Sequence, residues 1–187
     1  MSIKSGLTER TVKHLQLGAG ILVKNYTAGT ALSQDNIICA TRGGGTIDIK
    51  AIIHQVAIDG APTYTKGLER VNEHQASLKF TTVEFTSDNI VRAVAGAQKK
   101  TSEGGDTTIT AIREILATGY EDVTWLGDTS NGKNCVIKLK NAMNLDGLSI
   151  SANDKNEGTY ALNMIAHYDP ADLDTAPFEI IVEGDND

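Results

Sequence analysis

Residues 46–59 read Thr46-Ile47-Asp48-Ile49-Lys50-Ala51-Ile52-Ile53-His54-Gln55-Val56-Ala57-Ile58-Asp59, and this stretch decides the fold class. Ile47, Ile49, Ala51 and Ile53 alternate with Asp48, Lys50 and Ile52, a period of two that gives a strand one apolar and one more polar face. Past His54 the apolar phase switches to Val56 and Ile58, the slip that one extra residue in a strand produces. Asp59-Gly60-Ala61-Pro62 supplies turn chemistry, residues 63–73 are polar, and the alternation resumes at Ala76, Leu78 and Phe80. Two long strands joined by a protruding inter-strand loop, set at 59–75, are therefore expected. Loops of that length in compact domains usually carry function.

Upstream of this pair, residues 1–11 are polar and aperiodic, an N-terminal arm. Val12, His14 and Gln16 alternate as in a short strand, Gly18-Ala19-Gly20 breaks it, and Ile21-Leu22-Val23 begins another apolar run. Residues 25–36 have loop composition, and Gly43-Gly44-Gly45 reads as a breaker ahead of the long strand. Downstream, Thr86 or Ser87 can cap a helix, Asp88 suits its first turn, and Gly96 can end it. Ile90, Val91, Val94 and Ala95 give that helix its apolar face. Residues 97–106 read as a connection and Thr107–Ile115 as a further strand. Val123–Leu126 and Cys135–Leu139 flank Asn131-Gly132, a strong hairpin signal. Leu148 with Ile150, then Tyr160 to Tyr168, then Phe178–Val182 complete the pattern before a C-terminal tail at 183–187.

Strands thus follow one another with one clear helix among them, which argues for layered antiparallel sheets. The expected fold is mainly β with one α-helix: an antiparallel β-sandwich with a long protruding loop and extended termini, one domain over 1–187.

Composition narrows function. With 5% aromatic residues, the core must be built mainly from Ile, Val, Leu and Ala. A net charge of −7 repels phosphate backbones, and no basic, aromatic-interleaved window offsets it. An acidic surface is instead compatible with DNA passing without adhesion. Cys39 and Cys135 sit in short apolar stretches and read as buried thiols rather than a disulfide. No signal peptide is read at the start of the chain, and no apolar run reaches the length of a membrane helix. Manufacture in a reducing cytoplasm and no membrane partner are expected.

Catalytic and ligand chemistry leave little trace. His14, His54, His74 and His167 have no zinc-ligand spacing. Gly18-Ala19-Gly20 is half a dinucleotide fingerprint, and Gly43-Gly44-Gly45 lacks the Lys and hydroxyl residue of a phosphate loop. A calcium loop starting at Asp172 would place Pro177 where glycine is required and Ala176 at a ligand position. No nucleophile elbow is present. The expectation is a protein that is not an enzyme, with no cofactor, metal or catalytic residue.

The order of features resembles the siphophage major tail (tail tube) proteins across most of the chain. The stretches that carry this resemblance are Val12–Tyr26 (VKHLQLGAGILVKNY), Gln55–Leu68 (QVAIDGAPTYTKGL), Thr124–Asp128 (TWLGD), Ile137–Met143 (IKLKNAM) and Ala166–Ile180 (AHYDPADLDTAPFEI). The resemblance implies a self-assembling virion protein whose hexameric rings stack into the tail tube, with neighbouring sheets merging around a lumen. It implies a tape-measure protein in the lumen, tail terminator and distal tail proteins as partners, DNA only in transit, and assembly in the host bacterial cytoplasm. On this reading Asp48, Lys50, Lys79 and Thr81 are candidates for the lumen wall, and Tyr64, Leu68 and Val71 for contacts between rings. The alternatives are another tail component, such as a terminator or a contractile-tail tube, and a surface- or carbohydrate-binding β-sandwich. The last would need an aromatic platform, whereas Trp125 reads as core.

Overall fold

The structure is a computed structural model that describes residues 6–152 and 154–183. Its strands are β1 (Gln16–Lys24), β2 (Thr41–Gln55), β3 (Glu69–Thr82), β4 (Ala97–Thr101), β5 (Thr107–Ala111), β6 (Glu121–Thr129), β7 (Asn134–Asn144), β8 (Ile150–Ser151), β9 (Thr159–Ile165) and β10 (Phe178–Val182). Two helices accompany them, α1 (Glu9–Lys13) and α2 (Ser87–Ala93). The pairings between these strands are all antiparallel. The expected antiparallel β-sandwich is the observed fold.

One layer runs β1-β6-β7-β10 and the other β2-β3-β9-β8, with β7 belonging to both. Cys135 to Leu139 of β7 lie between β6 and β10, whereas Met143 and Asn144 pair with Ile165 and Met164 of β9. The strand changes layers at Asn141, whose φ of 48° lies in the left-handed region that Asn enters more readily than most residues. Asp122 Oδ1 accepts the Asn141 N–H at 3.1 Å, and the Lys140 carbonyl accepts the His167 N–H at 3.1 Å, fixing the corner.

Alternation builds the core between the layers. Ala76, Leu78 and Phe80 of β3 and Tyr160, Leu162 and Met164 of β9 face Leu22, Val123 and Leu139 of the other sheet. Leu162 and Val123 are fully buried, so each contributes roughly 1.5–3 kcal/mol of apolar burial. A smaller cluster of Val23, Leu126 and Val136 lies on the far side of the first layer, with Tyr26 and Ile181 packed on it.

The glycine runs do different work from that expected. Gly18-Ala19-Gly20 does not separate two strands. It is a bulge within β1, where these three residues oppose the single Gly127. Arg42-Gly43-Gly44 is likewise a bulge within β2 that opposes Thr81 alone. Gly18, Gly20, Gly43 and Gly44 have φ between 70° and 79°, which a strand can adopt only at such irregularities. The phase slip near His54 is also a bulge, but the extra residue is Asn72 on the partner strand, since Ile52 pairs with Glu73 and Ile53 with Val71.

Other boundaries moved for local reasons. Residues 9–11 of the expected arm, together with Val12, enter α1, because Thr8 and Thr11 form a reciprocal capping box. Residues 97–106 hold β4 and its turn instead of an irregular connection. β9 stops at Ile165, not Tyr168, because His167 turns away to β7. α2 starts at its expected cap, with Thr86 Oγ1 accepting from Asn89 N at 3.2 Å. The arm residues 1–5 and tail residues 184–187 lie outside the described residues.

Candidate assembly surfaces

The β2–β3 hairpin reaches well beyond the sandwich. β9 pairs with β3 only from Ser77 to Thr82, while β2 and β3 stay paired out to Gln55 and Glu69. Residues 69–75 therefore project roughly 20 Å past the end of β9. Among the described residues the β3 edge is open over this stretch apart from the His74 N–H, which Tyr168 Oη accepts at 2.7 Å. The outer edge of β2 from Gly45 to Gln55 has no backbone partner among the described residues. A free two-stranded ribbon is marginal in water, and an open edge is a template for pairing with another chain.

The four candidate lumen residues share one face of the second layer. Asp48 pairs across from Ser77, Lys50 from Gln75, Thr46 from Lys79, and Thr81 from Ala161. All four point away from the buried face of Ala76, Leu78 and Phe80; Asp48, Lys50 and Lys79 are exposed and Thr81 is half-buried. Among the described residues this face carries three carboxylates, Asp48, Glu73 and Asp146, against three cations, Lys50, Lys79 and Arg70, the last paired across from His54. Asp146 is fixed there by Asn163, whose Nδ2–H donates to it at 3.0 Å.

The inter-ring candidates divide. Tyr64 is 84% exposed at the tip of the connection. Leu68 is half-buried and forms the neck, its carbonyl accepting the Val56 N–H at 2.8 Å. Val71 is not in the loop at all but in β3, opposite Ile53, and both are more than half exposed. The connection is shorter than the expected 59–75 and spans 56–68, because the polar run from Glu69 is strand. Polarity misled the reading there: from Glu69 to Glu73 the strand has water on both faces and needs no alternation.

Trp125 is half-buried and packs against the main core. Its indole lies where a side chain on Gly127 or Gly20 would be, and its Nε1–H donates to the Ala19 carbonyl at 2.9 Å. Ile180 and Val182 on β10, and Phe85, Leu145 and Ile150 near β8, are also exposed to about half. Their exposure was not legible, since each sits in an ordinary apolar pattern and only the layer boundaries reveal what lies uncovered.

Arg92 of α2 is paired with Glu121 at the start of β6 and donates to Asn89 Oδ1 at 2.7 Å. Burial pushes the Cys39 thiol up, helped by Glu84, and burial also raises Cys135. Cys39 is buried and Cys135 half-buried; both are free thiols. Among the described residues no group of three or more His, Cys, Asp or Glu side chains is arranged to hold a metal, and no helix is long and apolar enough to cross a membrane.

No protein-family model matches the chain, and no curated protein matches it. Among solved structures, a chain of the virion of a native gene transfer agent particle is similar, with 15% identity, coverage of 83% of this chain and 96% of that one, and a TM-score of 0.45. A chain from the tail of an empty gene transfer agent particle with C6 symmetry is 13% identical, covers 81% of this chain and 92% of that one, and has a TM-score of 0.41.

Proposed function

We propose that this chain is the tube-forming subunit of a long phage tail, a structural virion protein that is not an enzyme. Copies close edge to edge into hexameric rings, the rings stack, and the second layer faces a lumen that holds the tape-measure protein and later passes DNA. The tail terminator and distal tail proteins would bind the two ends of the stack, and assembly would take place in the host cytoplasm. The observation that carries this reading is the open β2 edge from Gly45 to Gln55 on a hairpin that overhangs its own sandwich. Edges of that length are normally blunted or covered, and closing a ring of sheets removes them altogether.

The same reading gives the polar face around Asp48, Lys50, Lys79 and Thr81 a role as lumen wall, where balanced mixed charge offers no basic patch to retain DNA. A carbohydrate-binding role finds less support, because the Trp125 indole rests on Gly127 and its N–H is already bonded to Ala19. The test is negative-stain electron microscopy with sedimentation velocity over a range of concentrations. Rings or hollow tubes are expected. A strict monomer at every concentration, also in the presence of a tail-initiation complex, would overturn the proposal.

A further inference from the structure

The second layer is stepped at both ends, in opposite senses. At one end β3 runs on beyond Ala76, whose carbonyl accepts the Ala166 N–H at 2.9 Å, while the neighbouring chain turns off through residues 166–168 toward β7. This leaves a groove along the open β3 edge, lined by Asp48, Lys50, Glu73, Gln75, Asn163 and Tyr168. At the other end β3 finishes at Thr82, paired with Tyr160. There the turn joining β8 to β9, of which residues 154–158 are described, runs on past that last pair. The layer thus has a recess beside β3 at one end and, at the other, a turn that runs past the last β3–β9 pair, with Gly158 against the Phe85 ring at its base, both in the same β9–β8 half.

Charge runs in matching order. The groove holds Asp48 and Glu73 against Lys50, and these three make no ion pair among the described residues. At the turn, Glu157 is tied to Arg42 at 2.8 Å, which leaves Asp154 and Lys155 at the tip, both exposed and without an ion pair among the described residues. Lys155 has a φ of 62°, as a tight turn requires. The tip thus carries one ammonium and one carboxylate, and the recess two carboxylates and one ammonium.

We infer that the β8–β9 turn of one copy seats in the groove beside β3 of the next copy along the stack, at the rim of the lumen-facing layer, with Lys155 toward Glu73. The occupant is a second copy of this chain because the projection and the recess lie on one sheet, so translation along its strands brings one into the other. Such a contact joins unlike surfaces, is head-to-tail, and does not close on itself. This rests on the tube reading above and specifies which surfaces hold successive rings together.

The experiment is a charge swap in the full chain: Lys155→Glu, Glu73→Lys, and the two combined, with circular dichroism to verify folding. Rings are counted by mass photometry and tubes by negative-stain microscopy. Each single reversal is expected to raise the concentration needed for tubes at least about tenfold while rings persist, since like charges now meet at every subunit. The combined variant is expected to return to within about twofold of the unaltered chain. Tubes unaffected by either single change, or a double variant no better than the singles, would overturn the contact and leave the tube reading standing. Failure of the unaltered chain to form rings or tubes would overturn the tube reading, and this contact with it.

Discussion

Trp125 and Ala19 are joined by a hydrogen bond from the indole Nε1–H to the Ala19 carbonyl, 2.9 Å long. It ties the bulge of β1 to the middle of β6, and the ring can lie there only because Gly127 and Gly20 have no side chains. A Cβ on Gly127 would sit 2.1 Å from the ring. Gly127→Ala should therefore expel the indole and cost about 2–3 kcal/mol, combining overpacking with a lost hydrogen bond. Gly43→Ala meets nothing within 4 Å and pays only for its φ of 79°, about 1–2 kcal/mol. Urea unfolding followed by circular dichroism separates the two; equal effects would contradict this account.

Replacing residues 57–67 with a short glycine-containing turn should leave the fold intact. Val56 and Leu68 already close the neck through a 2.8 Å hydrogen bond, so the strands need no loop beyond it. The melting temperature is expected to stay within a few degrees, because little buried surface is removed. Stacking should be lost while rings remain, with Tyr64→Ala giving a weaker form of the same defect. Full-length tubes from the shortened chain would remove the loop from the contact between rings.

The Arg92–Glu121 pair fastens α2 to the first layer, and the two side chains are only 13% and 22% exposed. Arg92→Met strands the Glu121 carboxylate and the Asn89 Oδ1 together. The expected loss is about 2–3 kcal/mol in thermal or chemical unfolding. Glu121→Gln keeps one acceptor for the guanidinium and should cost less. A neutral Arg92→Met would mean that the pair is fully solvated.

Alkaline pH should weaken the fold through Tyr160. Its hydroxyl donates to the Glu84 carbonyl at 2.7 Å. Burial first, then the nearby Cys39, pushes its pKa up from 10.0 to about 12. The unfolded chain therefore ionises before the folded one, so this group's contribution is intact below pH 10 and is lost as pH rises toward about 12. Tyr160→Phe should flatten stability over that window and cost about 1 kcal/mol at neutral pH through the missing hydrogen bond. An unchanged alkaline slope in the variant would assign the decline to other groups.

Strand existence was legible wherever one face was buried and the other wet. Ile47 and Ile49, Ala76 to Phe80, and Tyr160 to Met164 all alternate and all line the main core or pack against it. The Asn131-Gly132 hairpin and the Thr86 cap were legible because local backbone chemistry sets them. Legibility failed where water touches both faces, as at Glu69 to Glu73, and where glycines serve bulges within strands. The polar face of Asp48, Lys50, Lys79 and Thr81 could be drawn from periodicity. The recess beside β3 could not, because it exists only through the early end of β9, and that end depends on His167 bonding to Lys140.

β7 is bonded edge to edge into both layers, with Asn141 as the elbow between its halves. In most sandwiches the two sheets touch through side chains alone and could slip past each other under load. Here slip along the strands would have to break backbone hydrogen bonds on either side of the elbow. The molecule is accordingly stiff in shear and compliant in its unsupported hairpin, so a pull along the strands would be absorbed by β2 and β3 beyond Ala76 before the body deforms.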